Sequence, residues 1–178
     1  KEYEKAVIEA FNRYQKKGWI YKGYRVINWC VRCGTGISDL EVNYVSEIGK
    51  LYYIKYGPFT LATARPETKL GDTALAVNPS DKRYKNYIGK EIEIESVDNN
   101  ILLNKEPKIK KIKIRVVTDK AVDKEFGTGI IKVTPAHDLT DFEISERHKL
   151  SILKIIDEKG RMNENAGLRY QGMKVSEA

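Results

Sequence analysis

The stretch that decides how this chain is read is FGTGIIKVTPAHDLTDFEISERH, Phe126 to His148. Phe126-Gly127-Thr128-Gly129 has the composition of a tight turn. Ile130-Ile131 then opens an apolar strand, and alternate residues of a strand share a face, so Lys132 and Thr134 point the same way. Pro135 has no amide proton to give a ladder and ends the strand. A helical pattern follows over residues 138–150, with Phe142, Ile144 and Ser145 along it. Asp138 falls at the N-cap and Asp141 in the first turn, where free amides and the helix dipole favour carboxylates. His148 and Lys149 suit the opposite end of that dipole. Capping alone accounts for both aspartates. Taken together, Lys132, Thr134, His137, Asp138 and Asp141 also form a cluster with carboxylates for an ammonium group and a Lys and a Thr for a hydroxyl.

Outward from this junction the chain reads as many short strands. Glu91-Ile92-Glu93-Ile94-Glu95 alternates strictly, as a strand with one wet face does. Residues 111–117 alternate Ile and Val with Lys and Arg in the same way. Residues 24–29, 50–56, 59–63, 73–78 and 152–156 carry the β-branched and aromatic composition of further strands. Residues 1–17 read as an amphipathic helix with Val7, Ala10, Phe11 and Tyr14 on one packed face and Gly18 as its C-cap. The expectation is an α+β fold, mainly β: a barrel-like domain over 49–160 with a few peripheral helices. A helix-and-knuckle segment, 1–48, precedes it, and a return segment, 161–178, follows.

Composition narrows the function. The chain has 178 residues, of which 41% are hydrophobic and 32% charged, enough for one real core. No apolar run approaches the ~20 residues that span a bilayer, and the N-terminus has no signal-peptide pattern, so no membrane role is expected. Two cysteines make no disulfide framework, and a reducing, cytoplasmic setting is expected. A net charge of +7 permits a polyanionic partner without naming one. Metal chemistry lacks support at the cluster, which has no HxxxH or HxH pair. No serine sits in a nucleophile elbow, and no phosphate-binding glycine loop is present.

Two further segments carry chemistry. Thr63-Ala64-Arg65-Pro66-Glu67-Thr68 followed by Lys69-Leu70-Gly71-Asp72-Thr73 places three threonine hydroxyls, a guanidinium and two carboxylates in eleven residues. Pro66 forces Arg65 out of the helical region and stiffens the loop. Such a loop either surrounds a small polar ligand or is a surface loop held by an Arg–Glu pair. Cys30-Val31-Arg32-Cys33 is a knuckle with two of the four ligands that zinc needs. It is either half a site completed elsewhere or an unmetallated turn.

Residues 63–78, TARPETKLGDTALAVN, resemble the threonine-rich signature of the editing domains of class I aminoacyl-tRNA synthetases. Residues 126–148 resemble the signature paired with it. Residues 24–42, YRVINWCVRCGTGISDLEV, resemble the segment that joins this insertion to its synthetase. Of the valine, isoleucine and leucine enzymes that share the insertion, the valine enzyme is the most similar. Arg65-Pro66-Glu67-Thr68 is unlike the isoleucine enzyme, and Lys132-Val133-Thr134 is unlike the leucine enzyme. The chain lacks the HIGH and KMSKS signatures of the synthetic site, so it reads as the insertion rather than a whole synthetase. Ala64 departs from the Thr or Val usual at that position.

The resemblance implies hydrolysis of the ester of mischarged threonyl-tRNA(Val), with the tRNA(Val) acceptor end and the rest of the parent synthetase as partners. It implies that Asp141 anchors the α-ammonium group, and that Lys132, Thr134 and Asp138 read the threonine hydroxyl. Thr63, Arg65, Glu67 and Thr68 would line the loop around the terminal adenosine and the ester, and Phe126 would pack on adenine or ribose. His137 would either orient water or brace the turn. Editing would need no cofactor. ATP and magnesium would serve only the parent's synthetic site, and zinc at Cys30 and Cys33 would belong to the parent. Lys108, Lys110, Lys111 and Lys113 would meet phosphates. Two alternatives stay open: the corresponding domain of an isoleucine or leucine enzyme, and a catalytically silent tRNA-binding module of the same fold.

Overall fold

The computed structural model describes residues 1–102 and 105–178. In chain order it contains α1 (Glu2–Lys16), β1 (Asn28–Cys30), β2 (Thr35–Ile37), β3 (Tyr52–Tyr56) and β4 (Phe59–Thr63). These are followed by β5 (Ala74–Val77), β6 (Glu91–Val97), β7 (Ile109–Thr118), β8 (Ile130–Val133) and α2 (Leu139–His148). Short 3-10 turns fill Pro66–Gly71 and Lys82–Tyr87.

The central sheet has the order β6-β7-β5-β8. β5 runs parallel to β7 and antiparallel to β8, and β6 and β7 are antiparallel. Residues Ala74 to Val77 are all buried, because β5 lies between two cores. Leu75 and Val77 meet Ile92, Ile94, Ile114, Val116 and Ile130 on one face, and the β3–β4 hairpin covers that face with Tyr56, Phe59 and Leu61. On the other face Ala74 and Ala76 meet Val117, Val133 and Ile144 of α2. A strand covered on both sides reads as a continuous apolar run. The alternation at 91–95 and 111–117 belongs to β6 and β7, whose Ile92, Ile94, Ile114 and Val116 are buried. At the hairpin turn, Gly57 has φ +55° and a Cβ there would stand 2.6 Å from the Glu93 carbonyl oxygen. Only glycine allows that approach.

The described strands do not close into a barrel. The hairpin and the four-stranded sheet are separate sheets. They share a core but no ladder. β8 has only four residues, Ile130–Val133, and Pro135, two positions beyond its end, cannot donate to a ladder. The molecule is therefore layered, with hairpin, sheet and α2 stacked in that order.

Three further expectations need correction. Residues 152–156 form no strand beyond a single bridge between Ile156 and Met162. Here the Ile155 amide is taken by a histidine side chain instead of a neighbouring strand, while Ile155 itself packs against Met162 and Ala166. Of residues 24–29, only Asn28 and Trp29 enter a ladder. The helix at 2–16 forms as expected, with Gly18 at φ +72° past its end, but none of its residues is buried. Val7, Phe11 and Tyr14 remain about half exposed, and only Tyr14 finds an aromatic neighbour, Trp19.

Two of the lysines expected to meet phosphates, Lys110 and Lys111, have partners within the protein. Across β6 and β7, Glu91, Glu93 and Glu95 stand opposite Arg115, Lys113 and Lys111. Lys111 pairs with Glu93 at 2.7 Å, and Lys110 donates to Asn99 at 2.9 Å. Of the four lysines, Lys111 is thus ion-paired within the sheet and Lys110 is held by a neutral side chain. Among the described residues, no helix is long and apolar enough to cross a membrane.

Candidate functional site

A cavity of about 360 Å³ opens between the end of β4, the β8–α2 junction and the loop over 121–126. Its lining includes Thr63, Arg65, Thr68, Phe126, Lys132, Thr134, His137, Asp138 and Asp141. The two sequence segments singled out above therefore meet in one place. Two backbone features make this possible. Gly127, at φ +56°, would put a Cβ 2.6 Å from the Ala62 Cβ, so glycine lets the Gly-Thr-Gly turn press on β4. Gly71 passes Thr134 so closely that a Cβ would lie 3.1 Å from its Cγ2.

The floor of the cavity is a buried polar network. Lys132, 8% exposed, donates from Nζ to Thr68 Oγ1 at 2.5 Å, Thr134 Oγ1 at 2.7 Å and Asp72 Oδ1 at 3.2 Å. Thr134 Oγ1 donates to Asp72 Oδ1 at 2.6 Å, and Thr68 Oγ1 donates to the Arg65 carbonyl at 2.9 Å. Tyr56 donates to Asp72 Oδ2 at 2.5 Å. A cation buried this deeply needs such partners, because an uncompensated charge in the interior is strongly unfavourable. Burial raises the Asp72 carboxyl above its ordinary pKa, against the opposing pull of Lys132, Thr134 and Tyr56. Burial and the Asp72 charge together raise the Tyr56 phenol.

The helix start supplies the second half. Asp138 caps α2 by accepting from the Asp141 amide at 3.0 Å, while its residue stays exposed at the cavity edge. Asp141 accepts from the Thr134 amide at 2.8 Å. Burial lifts the Asp141 carboxyl to about 6; the Thr134 amide opposes this rise and the Asp138 charge adds to it. His137 accepts the Ile155 amide at Nε2, at 3.0 Å, so a neutral ring carries its proton on Nδ1. Burial, then Arg65, Lys132 and Lys154, lower its pKa to about 4. The Arg65 guanidinium donates to the His137 carbonyl at 2.8 Å and to Glu67 at 3.2 Å, and the Arg65 amide donates to Thr63 Oγ1 at 3.1 Å. Phe126 is half exposed at the mouth.

Glu67 alone of the expected residues lies outside this cavity. It faces a second one, of about 370 Å³, with Tyr52, Lys69, Ser96, Met162 and Tyr170. The 3-10 turn rotates successive side chains around its axis, so Thr68 enters the floor while Glu67 leaves it. Two residues of the floor carried no assignment from sequence. Asp72 is one of the two carboxylates counted in the quoted loop, but nothing in the sequence assigns it a role. Tyr56 offered none, since a tyrosine ending a strand is ordinary core. Asp119 is a further structural pin: it accepts from Arg147 at 2.8 and 3.0 Å and contacts His148 Nε2 at 3.2 Å, tying the end of β7 to the end of α2. Cys30 and Cys33 lie in one turn, where the Cys33 amide meets Cys30 Sγ at 3.4 Å. Among the described residues, no group of three or more His, Cys, Asp or Glu side chains is arranged to hold a metal.

A buried lysine wired to two threonines and an aspartate thus lies next to a buried carboxylate at a helix start, and all five side chains but Asp72 line one cavity. The family model for tRNA synthetases class I (I, L, M and V) matches residues 1–137, and the chain belongs to that family. Its relatives include the valine–tRNA ligase of Carboxydothermus hydrogenoformans, 48% identical over 97% of this chain and 19% of that protein. They also include those of Geobacter sulfurreducens, 46% identical over 95% and 18%, and Thermotoga maritima, 44% identical over 98% and 19%. The likeness to the valine enzyme expected from residues 65–68 and 132–134 is borne out by these relatives. The chain spans about a fifth of their length.

Proposed function

We propose that the chain hydrolyses the ester of mischarged threonyl-tRNA(Val), as the editing insertion of a valine–tRNA ligase. The observation that carries this reading is the buried Lys132–Thr134–Asp72 network at the floor of a cavity whose rim holds Asp141. Threonine and valine are nearly isosteric, so an apolar pocket separates them poorly, and a second pocket must select on the hydroxyl. Valine in that pocket would leave polar groups of the floor unpaired, at about 1–3 kcal/mol for each group.

In this reading the Asp141 carboxylate binds the α-ammonium group, and the side-chain hydroxyl lies on Thr134 and Thr68. Arg65, Thr63 and Phe126 hold the terminal adenosine at the mouth. Water attacks the ester carbonyl, the bond to the ribose oxygen breaks, and that oxygen takes a proton. An ester is already activated, so positioning and electrostatic stabilisation supply most of what is needed. His137 braces the loop in this scheme, because its Nε2 is occupied by the Ile155 amide; a ribose hydroxyl of the substrate assists the water. Glu67 acts only through Arg65. Valine ligation with ATP and magnesium is assigned to the remainder of the longer enzyme. Zinc at Cys30 and Cys33 would need two ligands from outside this turn.

The test is release of amino acid from threonyl-tRNA(Val) and valyl-tRNA(Val) by the protein and its Asp141→Ala variant. The reading expects threonine release far above valine release, and loss of it in the variant. Equal release by both proteins would refute the role of Asp141, and faster valine release would refute the specificity.

A further inference from the structure

The hydrogen-bond protons at the cavity floor can be counted one by one. Lys132 has three N–H protons, and its three partners are Thr68 Oγ1, Thr134 Oγ1 and Asp72 Oδ1. Thr134 has one hydroxyl proton, directed at Asp72 Oδ1. Thr68 has one, directed at the Arg65 carbonyl. Every donor group of the floor therefore has its partners within the protein. Each hydroxyl oxygen accepts one bond from Lys132 and has two lone pairs, so each keeps one acceptor site.

Asp72 is what makes the assignment unique. Its carboxylate is acceptor-only, and three protons converge on it, from Tyr56, Thr134 and Lys132. Tyr56 holds Oδ2 and thereby aims Oδ1 at Thr134 and Lys132. With Oδ1 there, the Thr134 hydroxyl has to point inward, and Lys132 is drawn toward the same oxygen.

We propose that Asp72 is a specificity-determining positioning residue that makes the cavity floor accept hydrogen bonds only, so that it selects a ligand side chain bringing its own hydroxyl proton. This deepens the editing reading and rests on it for the identity of the ligand. It separates two properties that size and polarity leave merged. Threonine offers a donor at the β-carbon; valine offers neither donor nor acceptor; 2-amino-3-fluorobutanoate offers a weak acceptor of nearly the same size. A floor that presented a free lysine proton would bind the fluoro analogue better than valine. A floor of acceptors rejects both.

Two measurements test the proposal. Neutron diffraction from the deuterated protein reads the protons without any variant. The proposal expects the Thr134 deuteron on Asp72 and the Thr68 deuteron on the Arg65 carbonyl. A deuteron of either hydroxyl, or of Lys132, directed into the cavity would overturn it. The second measurement is calorimetric binding of the stable 3′-amide analogues of threonyl-, valyl- and 3-fluoro-2-aminobutyryl-adenosine. Threonyl should bind about tenfold or more tightly than the other two, which should be alike, as expected for a site built to pair a hydroxyl. In Asp72→Asn the amide NH₂ can displace the Thr134 proton toward the cavity, and the preference should fall by about tenfold. Fluoro binding equal to threonyl in the wild type, or an unchanged ratio in Asp72→Asn, overturns the proposal. Preferential binding of the threonyl amide with no hydrolysis of threonyl-tRNA(Val) would instead sink the deacylase reading and leave the polarity assignment standing.

Discussion

The Asp141 carboxylate should be costly to the fold that holds it, and Asp141→Asn is the perturbation that measures this. Burial raises its pKa from the ordinary 3.8 to about 6. An aspartate whose folded pKa lies above its unfolded value keeps its proton in the folded state over a range where the unfolded chain has lost it. The folded state then binds more protons, and stability falls as pH rises from about 4 to about 6. At 1.36 kcal/mol per pKa unit this loss amounts to about 3 kcal/mol. His137 acts in the opposite sense over nearly the same range. Its pKa drops from 6.5 to about 4, so the unfolded chain binds the extra proton and stability rises as pH rises through that window. The two act in opposite senses, and a pH–stability curve of the wild type alone would not separate them. The difference between wild type and Asp141→Asn isolates the aspartate, because the asparagine oxygen can still accept the Thr134 amide. Urea unfolding of both proteins between pH 4 and pH 7.5 is the assay. Asp141→Asn is expected to match the wild type at pH 4 and to exceed it at pH 7.5 by about 1–3 kcal/mol, while losing threonyl ester hydrolysis. Parallel curves, with the same difference at both ends, would refute the placement of a buried, proton-retaining carboxylate at the cavity rim.

Other outcomes follow from the same geometry. His137→Ala leaves the Ile155 amide without its acceptor and is expected to lower stability by about 1–3 kcal/mol at pH 7.5, with a smaller deficit at pH 4; urea titrations at the two pH values check this. Gly127→Ala introduces a methyl group into the space of the Ala62 Cβ at a positive φ and should cost about 1–3 kcal/mol; a midpoint shift worth under half a kcal/mol would show that the turn does not press on β4. Tyr56→Phe removes one of the donors to Asp72 and should destabilise by about 1–2 kcal/mol, with no comparable loss for Tyr52→Phe, whose ring is partly exposed at the start of β3; circular-dichroism melts of the pair decide.

The sheet was legible where a period of two is enforced by one wet face, as at Glu91 to Glu95 opposite Lys111 to Arg115. It was legible too at the β8–α2 junction, where Pro135 and the Asp138 cap leave the chain few options. It failed where tertiary partners override composition. Ile152 to Ile156 has a strand's residues, but its Ile155 amide belongs to a histidine eighteen positions away. The barrel was inferred from the number of short strands, and strand number does not reveal which edges pair. For the site, the residues that meet across 60 or more positions, such as Lys132 with Thr68 and Asp72, came together only through motifs taken jointly. Asp72 and Tyr56 carried no assignment because their importance lies in hydrogen bonds to each other and, for Asp72, to Thr134 and Lys132 about 60 positions away. Glu67 was misplaced by a rotation that a 3-10 turn imposes and a residue pattern does not record.

The pairing of β5 with β8 has a consequence for how the chain reaches its native state. Leu75 stands opposite Lys132, and Ala74 opposite Val133. A slip of one residue in β8 would turn Lys132 toward Ile144 and the α2 core, and would leave Ile131 and Val133 facing Asp72. That alternative buries an unpaired cation against aliphatic side chains and strands the carboxylate, a double penalty that an all-apolar β8 would not impose. The lysine that reads as a ligand-binding group therefore also proofreads strand alignment during folding, and replacing it by methionine should yield a chain that collapses readily but populates more than one register.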